Sequence, residues 1–241
     1  VRGYENGKHF ATREKFYPTL FVDSKRKSKY KTLDGLPVEP VEPGTVRDCR
    51  EFIKKYNEVE NFNIYGNERY IYQYISEKYP EVEVKFDTEK IKLTTIDIEV
   101  ASENGFPDVE SCAEEVLLIT LQDYATKQIR TWGRGAFNNK QDNVIYKGFN
   151  TEYELLTDFI HWWMIEDNTP EVITGWNSKL YDIPYLCRRI DRILGEKLKK
   201  RMSPWGLVTE EETYISGRKH LSYDIGGCLL YTSPSPRDEQ S

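Results

Sequence analysis

The order of strand and helix patterns after Ile91 constrains the fold of this chain most strongly. Three strand patterns come first, joined by short or polar connections: KLTTIDIEV (92–100), VLLITLQDY (116–124) and KQIRTWG (127–133). Neighbouring strands connected in this way pair antiparallel. A further edge strand is predicted at 143–149, then a helix at 151–165, a short buried strand at 171–174 and a helix at about 183–200. This order predicts a mixed sheet flanked by helices.

The first of these helices has a clear boundary signal. Thr151 is placed to cap its amino-terminal end, and Glu154, three residues later, completes a capping box. Leu155, Phe159 and Trp162 then lie along one face, which is the pattern of a helix packed on a sheet. The whole order of elements fits a ribonuclease H-like fold.

Residues from Tyr17 to about Lys92 follow a different pattern. Short strands, such as 19–22, alternate with turns, such as 34–37, and one helix is predicted at Val46–Tyr56. We therefore expect a small α+β domain at 1–92, ahead of a domain at 93–227 that carries the mixed sheet. Five basic residues at 25–31 are most simply interpreted as a solvated loop, and they receive no functional role.

Composition excludes several classes of protein. A chain of 241 residues is long enough for two domains, and no apolar run approaches the roughly 20 residues of a membrane span, so no membrane partner is expected. Four scattered cysteines without an export signal predict reduced thiols and a cytoplasmic protein, which for a viral protein means the host cytoplasm. With only three histidines, any metal is expected to be Mg²⁺ or Mn²⁺ held by oxygen. The net charge of −6 argues against coating nucleic acid through bulk charge but leaves a local groove open.

Both ends of the sequence suggest a piece of a longer reading frame. The opening VRGYENGKHF has neither an initiator Met nor a signal-peptide pattern. After Gly227 the sequence CLLYTSPSPRDEQS (228–241) continues no earlier pattern, and CLLYTSPSPRD resembles one reading frame of a common sequencing-library adapter. The alternative is a disordered natural terminus. We therefore expect the domain at 93–227 to be truncated.

Two carboxylates stand out in TIDIEV (95–100), which otherwise has the pattern of a buried strand. Side chains alternate along a strand, so Asp97 and Glu99 share one face and Ile96 and Ile98 the other. Neighbouring buried carboxylates stay ionised mainly where a cation compensates them, which points to a divalent metal. The alternative is a solvated end of the sheet, or pairing with Lys and Arg.

A third carboxylate follows the predicted strand at 171–174. The segment TGWNSKLYDIPY (174–185) ends that strand in Gly and Asn and brings Asp182 to the start of a helix. Taken alone, Asp182 could be only a helix N-cap. Taken together, a DxE pair on the first strand and an NxxxYD segment about 80 residues later favour a metal site built from Asp97, Glu99 and Asp182.

These motifs resemble those of the replicative family B DNA polymerases, and most closely the polymerases of large tailed phages. TIDIEV is similar to the family's first exonuclease motif and TGWNSKLYDIPYL to its second, in which Asn177, Tyr181 and Asp182 fall on motif positions. The segment Asn104–Pro107 looks like the family's loop after the first motif, where Phe106 is implied to contact the unpaired 3′ end of DNA. The resemblance covers 17 to about 226 and makes 1–92 the amino-terminal domain.

The resemblance implies a DNA-directed DNA polymerase whose proofreading 3′–5′ exonuclease uses two divalent cations, Mg²⁺ or Mn²⁺. Asp97, Glu99 and Asp182 are implied as catalytic metal ligands, with Phe106, Asn177 and Tyr181 as substrate-binding residues. The implied partners are DNA, at single-stranded primer 3′ ends, and a sliding clamp for the intact polymerase.

This chain departs from the family pattern after the second motif. The family's remaining exonuclease Asp lies in a downstream YxxxD motif, which is absent here; Tyr30 and Asp34 match YxxxD only by chance, upstream in a turn. Tyr223–Asp224 resembles the stretch ahead of the third motif, and the polymerase site itself is absent. We therefore expect little activity from this piece. A stand-alone ribonuclease H-like exonuclease and a non-catalytic nucleic-acid-binding module are the alternatives.

Overall fold

The structure is a computed structural model in which the chain divides into two compact units. It describes residues 1–5, 8–66, 68–80, 87–103, 105–215 and 217–233. Val1 and Thr12–Phe86 form the first unit, and Arg2–Ala11 with Asp87–Ser241 form the second.

The second unit includes an amino-terminal hairpin of β1 (Arg2–Glu5) and β2 (Lys8–Ala11), paired antiparallel. The sequence pattern assigned these residues to the first domain. They belong to the second unit because the Arg2 guanidinium donates hydrogen bonds to the carbonyls of Thr169, Pro170 and Gly227. Such long-range contacts leave no local signal in the sequence.

The first unit is the small α+β module that the sequence predicts. Its elements are β3 (Leu20–Asp23), β4 (Tyr30–Lys31), β5 (Pro37–Val41), α1 (Val46–Tyr56), β6 (Ile64–Tyr65) and α2 (Tyr70–Lys78). The strands form an antiparallel sheet in the order β4-β5-β3-β6. Helix α1 has the predicted bounds, whereas α2 was missed because its sequence, YIYQYISEK, is rich in residues that favour strands.

A six-stranded mixed sheet organises the second unit, in the order β10-β9-β8-β7-β11-β14. The strands of this sheet are β7 (Leu93–Val100), β8 (Val116–Asp123), β9 (Ile129–Arg134), β10 (Val144–Phe149), β11 (Val172–Trp176) and β14 (Leu229–Ser233). A separate antiparallel hairpin is formed by β12 (Val208–Ile215) and β13 (Arg218–Ile225). The predicted antiparallel pairing of β7, β8 and β9 is confirmed. The pairs β10 with β9, β11 with β7 and β11 with β14 are parallel.

Helices α3 (Glu152–Trp163), α4 (Asp182–Leu194) and α5 (Glu196–Lys199) accompany this sheet. The predicted capping box of Thr151 and Glu154 is confirmed. Buried side chains of α3 and α4 form one hydrophobic core with those of β7, β8, β9 and β11. Its largest fully buried members are Trp132, Trp163, Tyr185, Phe159, Ile96 and Ile119. This core fixes the position of α4 relative to β7.

The segment after Gly227 has structure that its composition does not indicate. Residues 229–233 form the edge strand β14, and Cys228 is buried with its Sγ 3.1 Å from the Pro170 carbonyl oxygen. A strand at a sheet edge pairs through backbone groups, so the open edge of β11 accepts a segment such as LLYTS largely irrespective of its origin. The alternative of a disordered terminus is therefore wrong for 229–233, whereas the adapter origin of 228–238 stays a prediction; 234–241 lie outside the described residues.

Candidate active site

The two faces of β7 have the predicted division, but the carboxylate face is not buried. Ile96 and Ile98 lie in the core, whereas Asp97 and Glu99 are exposed on the other face. The interpretation of TIDIEV as a strand buried on both faces is therefore wrong. These two charges are solvated and require no compensation for burial.

Asp182 is the buried carboxylate of the site, since only 4% of its surface is exposed. Its Oδ1 accepts a hydrogen bond of 3.0 Å from the backbone N–H of Ile98, the residue between Asp97 and Glu99. The side chain of the second motif thus contacts the strand that carries the carboxylates of the first motif. Asp182 is the first residue of α4; the cap residue is Tyr181, and no side chain caps this helix end, so the N-cap alternative is wrong.

The end of β11 explains why the Ile98 amide is available. β11 pairs with β7 only from Val172 to Thr174, opposite 93–95, although β11 itself continues to Trp176 beside β14. A Cβ atom on Gly175 would lie 2.5 Å from the Ile96 carbonyl oxygen, so only glycine permits this close approach. Beyond the last paired residue, the β7 edge that faces β11 is open, and the Asp182 carboxylate bonds to it.

A tight turn brings Asp182 to this position. Asn177 has a φ of +55°, in the left-handed region that Asn tolerates better than most residues. Its carbonyl accepts hydrogen bonds from the amides of Leu180 and Tyr181, and the Ser178 carbonyl accepts one from Ile183. The backbone of Asn177 therefore shapes the turn, while its side chain is exposed.

Burial raises the pKa of Asp182 to about 6. The negative charges of Asp97 and Glu99 contribute to this increase, and the hydrogen bond from Ile98 N–H opposes it. Among the ion pairs of the described residues, none involves Asp97, Glu99 or Asp182. Among the described residues, these three carboxylates thus concentrate negative charge without an ion-pair partner.

Two aromatic rings lie beside these carboxylates. The Phe106 ring is 83% exposed, and its centroid lies 4.9 Å from that of Tyr181 at an interplanar angle of 44°. Burial raises the pKa of Tyr181 to about 12, with contributions from the charges of Asp182 and Glu99 among others. Phe106 is thus an exposed apolar surface that packs on Tyr181, the residue before Asp182. Asn104, from the same motif, lies outside the described residues.

The oxygen-only set of side chains has the chemistry that Mg²⁺ and Mn²⁺ prefer. It is not a preassembled cage, because no group of three or more His, Cys, Asp or Glu side chains in the described ranges is close enough to hold a metal ion. Asp182 is fixed by its hydrogen bond, so Asp97 and Glu99 are the side chains that would have to turn toward an ion.

The residues that match a known protein family include the candidate site. The profile described as DNA polymerase family B, exonuclease domain, matches residues 49–231, which is most of the sequence and includes all three carboxylates. The chain belongs to this family.

Several polymerases are similar to this family B chain. The DNA-directed DNA polymerase of Enterobacteria phage T4 is 29% identical over 252 residues, covering 94% of this chain and 27% of the T4 protein. The DNA-directed DNA polymerase of Escherichia phage RB69 is 28% identical over 226 residues, covering 83% of this chain and 25% of its own length. The DNA polymerase catalytic subunit of human herpesvirus 6A is 34% identical over 51% of this chain. The chain spans about a quarter of the length of the phage polymerases it matches.

A buried ion pair in α3 and α4 was missed by the sequence reasoning. Arg189 is 6% exposed and Glu152 is 5% exposed; Arg189 Nε and Nη2 donate to the two Glu152 carboxylate oxygens at 2.6 and 2.7 Å. The position of Arg189 next to apolar residues of α4 (YLC before it and Ile190 after it) could have indicated that it is buried. Its partner Glu152 could not be identified in this way, because it lies 37 residues away.

In the part of the chain that the structure describes, no helix has the length and apolar character needed to cross a membrane.

Proposed function

We propose that this chain is the amino-terminal and proofreading part of a DNA-directed DNA polymerase, and that its second unit removes nucleotides from DNA 3′ ends by metal-assisted phosphodiester hydrolysis. The hydrogen bond from Ile98 N–H to Asp182 supports this proposal most directly, because it links the carboxylate of the second motif to the strand that carries the first. Membership of the family B exonuclease domain and the ribonuclease H-like order of elements agree with it.

Asp97, Glu99 and Asp182 would hold two divalent cations. When bound, such ions lower the pKa of an attacking water and stabilise the charge on the departing 3′ oxygen. Asp182 offers a carboxylate already oriented by the Ile98 amide, and ionising it costs free energy until a cation is near. The exposed side chains of Asp97 and Glu99 are free to turn toward that position.

The remaining predicted residues would bind the DNA end. Phe106 would stack on the terminal base, a contact that is indifferent to sequence because every base has an aromatic face. Tyr181 supports the Phe106 ring, and Asn177 shapes the turn that leads to Asp182. Selection of mispaired ends would then come from how readily an end separates from its template.

Metal binding by the 241-residue chain is the first test. Titration with Mn²⁺, followed by the paramagnetic resonance signal of free Mn²⁺, should show bound ions that Asp182→Asn weakens by at least tenfold. Asp142→Asn is a matched control, because Asp142 is an exposed carboxylate that precedes β10, at the opposite end of the sheet from Asp97. Equal Mn²⁺ binding by both variants would contradict the proposal.

Digestion of DNA is the second test. A 5′-labelled single strand should shorten slowly from its 3′ end, only with Mg²⁺ or Mn²⁺, and Asp97→Asn should abolish the shortening. We expect a slow rate because the family's third motif is absent, and a full-strength rate would refute that expectation. DNA affinity insensitive to Mg²⁺, combined with Mn²⁺ binding no different from the control, would instead indicate a nucleic-acid-binding module.

The same proposal extends to the setting of the intact polymerase. We propose that it works in the cytoplasm of an infected cell, which the phage relatives support. A sliding clamp is proposed as its partner on the family resemblance alone.

A further inference from the structure

We infer that Arg189 is a positioning residue of the proposed exonuclease: it fixes the segment Glu110–Val116 and thereby holds Phe106 in place to stack on the terminal base. This inference rests on the function proposed above. Its evidence lies in the contacts between α4 and that segment.

The backbone of the segment is bound to one face of α4. Tyr185, Arg188, Arg189 and Arg192 recur at the spacing of neighbours on one helix face. Together they donate hydrogen bonds of 2.7 to 3.2 Å to five consecutive backbone carbonyls, those of Glu110, Ser111, Cys112, Ala113 and Glu114. Carbonyls of a connecting segment usually face water. Here their partners all come from the helix that begins with Asp182.

Arg189 is the buried centre of this arrangement. Its Nη1 donates to the carbonyls of Cys112 and Ala113, at 3.0 Å each, while its other nitrogens bind Glu152. Glu152 in turn accepts the N–H of Val116, the first residue of β8, at 2.8 Å. One ion pair therefore fixes the segment at its centre and at the start of the strand. The planar fork of Arg allows this set of contacts, whereas the single ammonium of Lys does not.

A short path connects this ion pair to Phe106. The Cys112 N–H donates to the Asp108 carbonyl at 2.9 Å, and the Asp108 carboxylate accepts from Ser111 N–H at 2.7 Å. Cys112 itself has a φ of +46°, a strained conformation that persists only where surrounding contacts hold it. Phe106 lies two residues before Asp108, with Pro107 buried between them. Loosening the carbonyl contacts at 112 and 113 should therefore release the Phe106 ring from Tyr181.

The test is a double-mutant cycle read at the DNA end. The probe is a single-stranded oligonucleotide with 2-aminopurine as its 3′-terminal base and a phosphorothioate at the last linkage to slow cleavage. Phe106→Ala should weaken binding of this oligonucleotide by roughly five- to a hundredfold, the range of base–aromatic stacking. It should also increase 2-aminopurine fluorescence, because the terminal base is no longer stacked on the Phe106 ring. Arg189→Lys should produce much of that loss, but should add less than about twofold in the Phe106→Ala background, since coupled residues are not additive.

Arg2→Lys is the matched control. Arg2, like Arg189, is a largely buried Arg that binds one carboxylate and several backbone carbonyls, those of Glu166 and of Thr169, Pro170 and Gly227 respectively. These contacts lie before or beside the start of β11, whereas the candidate site lies beyond the end of that strand. It should leave the 2-aminopurine signal unchanged. If Arg189→Lys does not fold, Arg189→Met combined with Glu152→Gln removes both charges and should show the same coupling to Phe106. Hydrogen exchange at 110–116 should accelerate in either Arg189 variant and not in Arg2→Lys.

The outcomes separate this inference from the proposed function. Equal losses from Arg189→Lys with and without Phe106, or no loss at all, would overturn the positioning role and leave the exonuclease proposal standing. If Phe106→Ala changes neither affinity nor fluorescence, base stacking is lost from the proposed function and the positioning role falls with it, while Mn²⁺ binding still tests the carboxylates.

Discussion

Replacing Asp182 by Asn should stabilise the second unit at neutral pH in the absence of divalent ions. Burial, with the nearby charges of Asp97 and Glu99, raises the pKa of Asp182 from 3.8 to about 6. At about 1.4 kcal/mol per pKa unit, ionising this carboxyl in the folded protein costs about 3 kcal/mol above pH 6. Asn removes the charge but keeps an oxygen that can accept from Ile98 N–H, so much of this cost should be recovered.

The pH dependence has a definite sign. The folded protein binds the Asp182 proton more tightly than the unfolded chain does, so this group's stabilising contribution is complete below about pH 4 and is lost as the pH rises to about 6. The free energy of unfolding should therefore fall across this window in the unsubstituted protein relative to Asp182→Asn. The two proteins should be closest in stability near pH 4 and differ most at pH 7 and above.

Urea unfolding followed by tryptophan fluorescence measures this difference. All five tryptophans lie in the second unit, so the signal reports the unit that contains the site. Urea carries no charge and leaves electrostatic effects unscreened, and EDTA removes stray metal. Asp142→Asn is the control, since Asp142 is exposed and should change stability by only about 0.5 kcal/mol. An Asp182→Asn protein that is less stable than the unsubstituted one at pH 7.5, by an amount independent of pH, would refute the electrostatic reasoning.

Divalent ions should reduce the difference in stability between the two proteins. Mn²⁺ at ten times its dissociation constant should raise the free energy of unfolding of the unsubstituted protein by about 1.4 kcal/mol. Asp182→Asn should gain much less, because it lacks the oriented carboxylate.

Three further substitutions test the fold around the site. Gly175→Ala should cost about 1 to 3 kcal/mol in urea unfolding, because its Cβ would meet the Ile96 carbonyl oxygen at 2.5 Å; a neutral effect would show that β11 and β7 can separate freely. Thr151→Ala should cost about 1 kcal/mol in the same assay by removing the α3 cap, and an unchanged midpoint would contradict the capping role. A chain ending at Gly227 should self-associate in sedimentation experiments, because loss of β14 exposes the β11 edge; a monomer of unchanged stability would contradict this pairing.

Local signals in the sequence predicted much of the fold. The bounds of α1 and the capping box of α3 depend on residues three or four positions apart. Strands β7 to β9 depend on the alternation of apolar and polar residues within each strand. These features are fixed by short segments, which is why a sequence pattern can identify them. The hairpin β12–β13 was missed because its strands, VTEEETYI and RKHLSYDI, are largely polar, although Gly217, with a φ of +77°, marks its turn.

The candidate site required the tertiary structure. The sequence places Asp97 and Glu99 on one face of a strand, but it cannot show that this face is exposed. The sequence also places Asp182 at the start of a helix. Only the structure shows that the pairing of β11 with β7 stops at Thr174 and that the Asp182 carboxylate accepts a hydrogen bond from the Ile98 amide. The Arg189–Glu152 pair is equally invisible, because it joins the first turn of one helix to the middle of another.

Anomalous diffraction from crystals of this chain soaked in Mn²⁺ would test the central claim most directly. We predict a Mn²⁺ peak within bonding distance of the Asp182 carboxylate, with the side chains of Asp97 and Glu99 turned toward it. Mn²⁺ bound elsewhere, or Asp97 and Glu99 still directed to solvent with the metal at saturating concentration, would contradict the proposal that these carboxylates share a metal site.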